Sequence, residues 1–324
     1  MDSGPLAPVG SVASLRFDDP DAFTDALRGG DVEYLPLGHG RFAAELTLLS
    51  LNDVRLQRAT IPPTVTRGSI DRHSALLLLP LTPKMDPVVN GAALDEAHVT
   101  LLRPGDDIHA IVRVGLSWAS VALDPDDMER LSDGWNLPTH IHRAPTLLGV
   151  GPAGVGHLRR SITAIADLSA ALPELIATPV VATAMGKSLK ELVAAMRIGP
   201  PPSSASYRRT AEMVRIMKAA EDYLVAHVMR PIYSEDLCQA LEVSQRRLHA
   251  AFVAACGVSP QGYLKFRRLQ LVRRALRSGG AYAGLVKSAA LSHGFWHLGN
   301  FARDYRMYFG ESPSETLQAA RAAR

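Results

Sequence analysis

Apolar and turn-forming residues near the C-terminal end of the chain recur in two blocks that lie 53 residues apart. The first block comprises Leu248, Phe252, Cys256, Gly257, Ser259, Pro260 and Leu264, and the second comprises Phe301, Tyr305, Phe309, Gly310, Ser312, Pro313 and Leu317. One constant offset over so many positions indicates two copies of a single supersecondary unit.

Each copy is predicted to form a helix, a tight turn and a second helix. In the first copy Ser234 is expected to cap the helix that carries Leu237, and Ser244 to cap a second helix with apolar positions three and four residues apart. Gly257 is typical of a left-handed helix end, and Pro260 of a new helix start. Such a pair is either a DNA-binding helix-turn-helix or an ordinary helical hairpin, and its duplication favours DNA binding.

The pattern changes in the first half of the chain, where short apolar runs end at Asn, Gly and Pro residues. Residues 1–20 show little periodicity and are expected to form a loose tail, and residues 21–27 a short helix. The run lengths and their turn residues predict an all-β sandwich or barrel. Its predicted strands are residues 42–50, 53–58, 75–81, 98–102, 108–114 and 117–123.

The helical pattern returns after the strands, over residues 157–172 and 178–196. Residues 199–206 are rich in Pro and Ser and predict a stiff linker with a flexible end. The predicted domains are therefore a β-rich domain at 1–150, a helical segment at 151–198, a linker at 199–206 and a helical domain at 207–324.

Charge divides the chain in the same way. Residues 207–324 contain 18 Lys and Arg and 9 Asp and Glu, which gives this part a net charge of +9. Since the net charge of the whole chain is +3, residues 1–206 carry −6. A basic module joined to an acidic one fits a DNA-binding domain joined to a domain that does not bind DNA.

The composition is that of a globular protein, with 47% hydrophobic and 21% charged residues. No long apolar run or basic leader is visible, so a soluble, cytoplasmic protein without a membrane partner is expected. The two cysteines, Cys238 and Cys256, both fall on predicted apolar helix faces, which favours buried thiols over a disulfide.

The C-terminal motifs resemble those of the AraC/XylS transcription regulators over residues 207–320. The similarity is carried by Val243-Ser244, Leu248, Phe252, Gly257, Ser259-Pro260, Tyr263-Leu264, Gly294-Phe295, Phe301, Tyr305, Phe309-Gly310 and Ser312-Pro313. The resemblance implies two helix-turn-helix units joined by a rigid helix at about residues 260–277. It also implies double-stranded promoter or operator DNA as the partner, a homodimer through the helical layer, and RNA polymerase as a further candidate partner. Packing within the domain is the alternative for that layer.

The N-terminal half resembles the cupin-like sensor domain of the same family more loosely, chiefly through the Arg103-Pro104-Gly105-Asp106 turn. The expected fold class is thus a two-domain α+β protein. A cupin-like β sandwich or barrel with flanking helices precedes an all-α tandem helix-turn-helix domain.

The residues expected to contact DNA lie on the helix face opposite each core stripe. Arg suits the paired acceptors of guanine, and Gln or His can hydrogen-bond base edges. In the first reading helix this face carries Gln245, Arg246, Arg247, His249, Ala250 and Val253. In the second it carries His297, Leu298, Gly299, Asn300, Ala302, Arg303 and Arg306, with Trp296 near the expected cap position. The second face is poorer in hydrogen-bonding groups, so it is expected to dock more through backbone and shape, with Arg303 as its main base reader.

Metal binding is the enzymatic possibility that the cupin resemblance raises. The candidate ligands are His73, His98, His109, Glu45 and Glu96, but they lack the close His-x-His pairing with a following Glu that metallocupins carry. His140 and His142 have that spacing but lie beyond the strands. No metal or other cofactor is expected.

Three functions follow from these patterns. The first is a DNA-binding regulator controlled by a small, mostly apolar, metal-free effector held between the strands. The second is a regulator whose β domain only dimerises. The third is a cupin enzyme fused to DNA-binding helices, against which the weak ligand spacing argues.

Overall fold

A computed structural model describes residues 10–38, 40–85, 87–135, 146–199, 205–227, 232–278 and 286–322. The chain divides into two compact units. The N-terminal unit comprises Met1–Tyr34 and Ala43–Tyr207, and the C-terminal unit comprises Leu35–Phe42 and Arg208–Arg324. Among the described residues no helix is both long and apolar enough to cross a membrane.

Two sheets form the N-terminal unit. Their strands are β1 Ser11–Phe17, β2 Gly30–Pro36, β3 Ala44–Leu51, β4 Val54–Ile61, β5 Thr64–Ile70, β6 Ala75–Pro80, β7 Val88–Val89, β8 Ala92–Ala93, β9 His98–Leu102, β10 Asp107–Val112, β11 Leu116–Leu123 and β12 Thr146–Gly149. The larger sheet has the order β1-β3-β4-β11-β6-β9-β12, and the smaller has the order β2-β5-β10-β7-β8. Neighbours such as β3 and β4 run antiparallel. The two sheets stay separate, so the sandwich prediction is confirmed and the closed barrel is wrong.

Helices cover one face of the larger sheet. They are α2 Pro125–Ser132, α3 Gly151–Ala171, α4 Pro173–Ile176 and α5 Pro179–Ala194. A further helix, α1 Pro20–Ala26, packs Phe23 edge-on against Phe17 of β1 at 5.5 Å. Leu77 and Val121 of the sheet are fully buried in one cluster with Ile162 of α3 and Leu189 of α5. Each such side chain contributes roughly 1.5–3 kcal/mol by leaving water, so this shared core accounts for the position of the helical layer.

Lys190 of α5 forms ion pairs with two other elements of the N-terminal unit. Lys190 forms ion pairs with Asp127 of α2 and with Asp53 in the turn between β3 and β4. The hydrogen bond from Lys190 is the main reason why the pKa of Asp127 lies below its usual value.

The C-terminal unit contains seven helices within the described part of the chain. They are α6 Ala205–Ala226, α7 Ser234–Ala240, α8 Gln245–Cys256, α9 Pro260–Ser278, α10 Val286–Ser292, α11 Leu298–Phe309 and α12 Pro313–Ala322. α9 has 19 residues and is therefore about 28 Å long. The short segment Leu35–Phe42 also belongs to this unit, where the Gly40 amide donates a hydrogen bond to the Met307 carbonyl at 3.0 Å.

Most predicted elements are present, and the misses lie mainly at sheet edges. The loose tail is wrong in part, because residues 11–17 form strand β1, paired with β3. Strands β2, β5 and β12 and helix α2 were not predicted. Of the predicted linker at 199–206, residues 200–204 lie outside the described residues, Gly199 pairs with Gly149, and α6 begins at Ala205.

Candidate DNA-binding surface

The first helix-turn-helix consists of α7 and α8. α7 begins at Ser234 and its N-cap is Tyr233, not Ser234 as predicted, since the Tyr233 amide bonds to the Asp236 carboxylate at 2.8 Å. The turn passes through Glu242, a non-glycine residue with a left-handed φ of 53°. Ser244 caps α8 as predicted, because its Oγ accepts a hydrogen bond from the Arg247 amide at 3.2 Å.

The reading helices keep the predicted offset of 53 residues, whereas the helices before them, α7 and α10, differ by 52 residues at both ends. α8 spans Gln245–Cys256 and α11 spans Leu298–Phe309, so both ends differ by 53 residues. Each reading helix ends at a left-handed glycine, Gly257 at φ 74° and Gly310 at φ 73°. A left-handed residue costs an L-side chain roughly 1–2 kcal/mol, which explains glycine at both positions.

Both units share α9. On one side, the Phe252 ring of α8 packs edge-on against Tyr263 at 5.3 Å. On the other, Phe266 stacks on Tyr308 of α11 at 4.8 Å. Ion pairs reinforce the second contact, because Lys265 bonds to Asp304 at 3.1 Å and Arg273 to Glu311 at 3.2 Å. α9 therefore holds the two reading helices in one packed body.

The outer face of α8 carries the residues predicted to contact DNA. All are exposed, while Leu248 and Phe252 on the opposite face are buried. The exposed set is Gln245, Arg246, Arg247, His249, Ala250 and Val253. Arg247 forms an ion pair with Glu212 of α6, whereas Arg246 has no ion pair or hydrogen bond to any residue that the structure describes. Arg246 therefore has no interaction with a described residue to break before it binds DNA, whereas Arg247 does.

The outer face of α11 is organised differently. His297, Asn300, Ala302, Arg303 and Arg306 are exposed, and Leu298 is half-buried. Arg306 lies 3.4 Å from Glu315, and the Ser312 amide holds the pKa of that carboxyl below its usual value. Arg303 has no such partner among the described residues. Gly299 occupies the position in α11 that corresponds to Arg246 in α8. A Cβ atom added to Gly299 would have no neighbouring atom within 4 Å.

The structure defines the residue at which α11 begins. The helix begins at Leu298, and its N-cap His297 makes no capping hydrogen bond through its side chain. Phe295 packs against Phe301 with ring centroids 5.0 Å apart, and the guanidinium of Arg268 lies 5.8 Å from the Phe295 ring. Burial lowers the pKa of Arg268 from its usual value. Trp296, between Phe295 and His297, stays 64% exposed.

A cavity of about 90 Å³ lies in the N-terminal unit. Its lining is mostly apolar and comes from both sheets, with Leu78, Leu102, Ile108, Ala110, Leu116 and Trp118 among the lining residues. One water needs roughly 10–15 Å³ of such space, so the cavity is several times larger than a single water requires.

Few polar groups reach this cavity. The buried Gln57 amide bonds to both main-chain groups of Arg28, at 2.9 Å and 2.7 Å, and to the Ser120 hydroxyl at 3.4 Å. Burial raises the pKa of Tyr34, which also hydrogen-bonds Thr66. The exposed Arg28 side chain instead donates to the carbonyls of Asp25 and Leu27 at 3.0 Å. The lining therefore suits a neutral molecule.

The residues considered for a metal do not come together. No group of three His, Cys, Asp or Glu side chains within the described ranges could hold a metal ion. His98 bonds to Asp95 at 2.5 Å, and His109 is buried in β10. His140 and His142 lie outside the described residues. Neither cysteine forms a disulfide: Cys256 is a buried thiol and Cys238 a half-buried one.

The sequence did not predict two carboxylates that form ion pairs on this surface, Glu212 and Glu315. Glu315 could have been found, since Ser312 and Glu315 form a reciprocal capping box for α12. Glu212 could not, because it lies 35 residues from Arg247 in a different helix.

The C-terminal part of the chain is similar in sequence to known proteins. Residues 237–319 match a family model described as a helix-turn-helix domain. The chain is 35% identical over 96 residues to the XylDLEGF operon transcriptional activator of Pseudomonas putida, and this match covers 30% of each protein. It is 30% identical over 135 residues to XylDLEGF operon transcriptional activator 2 of the same organism, covering 42% of this chain and 86% of that protein.

A crystal structure of a probable AraC family transcriptional regulator from Rhodopseudomonas palustris CGA009 is also similar. It shares 44% identity, covers 33% of this chain and 97% of the other, and has a TM-score of 0.31. The relatives named here are regulators of transcription, and the matched residues of the second activator span most of its length. The chain belongs to the AraC/XylS family of transcription regulators.

Proposed function

We propose that this protein regulates transcription by placing α8 and α11 in successive major grooves of a promoter or operator. The observation that carries the proposal is the pair of reading helices on one shared helix, each with an exposed outer face and one arginine without a described partner. Arg246 and Arg303 are assigned to base edges, since Arg fits the two acceptors of guanine. Because the named curated relatives are activators, activation through contact with RNA polymerase is the proposed outcome.

The remaining polar residues are assigned supporting roles. Gln245, His249, His297 and Asn300 have exposed side chains that can hydrogen-bond bases or phosphates. Arg247 and Arg306 already have carboxylate partners, so they are assigned to phosphates. Ala250 is assigned to close apolar contact with the groove.

Selection of duplexes from a random library by the full-length chain tests this assignment. Two half-sites one helical turn apart are expected, with affinity that falls steeply as salt rises because phosphate binding releases counterions. A promoter fusion carrying the selected site should then respond to the protein in cells. A chain that enriches no sequence would contradict the proposal.

We further propose that a small, neutral and mostly apolar effector binds in the cavity of the N-terminal unit. The cavity supports this because its lining is mostly apolar and its polar side chains include the hydroxyls of Tyr34, Thr66 and Ser120 and the amide of Gln57. Ala110→Phe places a ring in the space and should abolish any rise in melting temperature caused by a bound compound. Val114→Phe, at an exposed residue in the same part of the sequence, is the matched control.

The dimerisation-only function is the rival outcome of that experiment. If no uncharged apolar compound raises the melting temperature of the wild type, the effector is excluded and the N-terminal unit is left with dimerisation alone. The enzyme alternative has no support in the named relatives, which are regulators.

Four exposed apolar side chains between α3 and α5 support self-association. Leu168, Leu172, Leu175 and Val180 are between 39% and 77% exposed. Exposed apolar patches commonly mark contacts with other protein surfaces. Leu168→Glu combined with Leu175→Glu should shift the protein from dimer to monomer in sedimentation, whereas an unchanged mass would exclude these side chains as the contact.

A further inference from the structure

Trp296 is the most exposed of the large apolar side chains described in the C-terminal unit, at 64%. The turn that leads into it is nevertheless ordered by main-chain hydrogen bonds. The Gly294 amide bonds to the Leu291 carbonyl at 3.1 Å, and the Phe295 amide to the Ala290 carbonyl at 3.0 Å. Folding alone does not explain why an indole stays exposed to water next to an ordered turn.

Packing of the helix start does not supply that reason. The residue before an N-cap often packs onto the fourth helical residue, which here would join Trp296 to Phe301. Phe295 makes that contact instead, with ring centroids 5.0 Å apart. The fold therefore uses Phe295 and leaves the neighbouring tryptophan to solvent.

Two positions that follow Trp296 have no hydrogen-bonding side chain. The positions that carry Gln245 and Arg246 in the first reading helix carry Leu298 and Gly299 in the second. The N-terminal residues of a reading helix are those that meet base edges. At these two positions α11 therefore lacks the donors that α8 presents, and the exposed donors beside them are His297 and Asn300.

One feature of the major groove suits an exposed apolar side chain. Among the four bases only thymine shows an apolar group there, its C5 methyl. We propose that Trp296 reads the C5 methyl group of a thymine under the second helix-turn-helix. The inference rests on the proposed DNA binding and names the base that the second unit recognises by apolar contact.

Replacement of single thymines by deoxyuridine tests the contact, because it removes the methyl and keeps the base pair. In a site selected by the full-length chain, one such replacement under α11 should weaken wild-type binding about fourfold, as expected for one buried methyl. The same replacement should have no effect on Trp296→Ala. Thymines under α8 serve as the control, since their uridine responses should be equal in both proteins.

Trp296→Phe separates the methyl contact from a phosphate contact. The phenyl ring keeps apolar surface but lacks the indole N–H, so it should retain most of the affinity and of the uridine response. If Trp296 bonds a phosphate instead, Phe and Ala should lose the same affinity while the uridine response persists in both, and the inference is overturned. Unchanged melting temperatures will verify the fold, because the side chain is exposed.

The two proposals fail in different ways. A wild-type chain that selects no DNA contradicts both of them. A chain that selects a site, but whose uridine responses are the same with tryptophan or alanine at this position, overturns the thymine contact alone.

Discussion

The Tyr263 hydroxyl donates a hydrogen bond to the carboxylate of Glu221, and both groups are buried between α6 and α9. A carboxylate inside a protein depends on such donors because it has lost its water. This bond therefore joins the helix that precedes the first helix-turn-helix to the helix that both units share.

Tyr263→Phe should lower the free energy of unfolding by about 1–3 kcal/mol, because it removes a donor from a buried carboxylate. Tyr233→Phe removes a hydroxyl from a residue that is 57% exposed, so it should change stability by less than about 0.5 kcal/mol. Urea unfolding of both variants measures the difference. Equal losses would mean that the buried bond contributes nothing particular.

Arg246→Ala should cost about 1–3 kcal/mol of binding energy on the selected site and relax the preference at one base pair. Arg247→Ala is the matched control, since its arginine is paired with Glu212 and should affect all sequences alike. Affinities on the selected site and on random duplexes distinguish the two. Equal loss on both DNAs for Arg246→Ala would make it a phosphate contact.

Arg303→Ala should be the most damaging single change of a polar residue in α11, because Arg306 shares its charge with Glu315. Base changes under α8 should still weaken binding more than changes under α11, which has fewer donors on its face. A full single-base scan of the site measures both effects. A profile with equal weight in the two halves would contradict the expected asymmetry.

Glu242→Gly should stabilise the C-terminal unit by roughly 0.5–1 kcal/mol. Glu242 has a left-handed φ of 53°, and glycine adopts that geometry without the side-chain strain. The corresponding turn of the second unit already has Gly294, at φ 80°, so Gly294→Ala should destabilise by about 1–2 kcal/mol. Denaturant midpoints of the two variants should move in opposite directions, and a shared direction would refute the strain argument.

The two helix-turn-helix units were predictable because their apolar spacing, caps and glycine ends are local signals. Strand β1 was not, since it lies at a sheet edge and its residues are mostly exposed or half-buried. Strand β5 was not predicted because Thr, Arg, Gly and Ser interrupt its apolar pattern. Ion pairing of Arg247 and the exposure of Trp296 depend on how distant helices pack, which no local pattern records.

The sharing of α9 has a consequence for the DNA itself. One continuous helix packed into both cores sets the separation of the reading helices before any duplex arrives, so adjustment falls on the nucleic acid. Base pairs between the half-sites then contribute through how readily they bend or twist, although no side chain need touch them. Flexible TA or CA steps at the centre of an operator should bind better than a stiff A-tract of the same length.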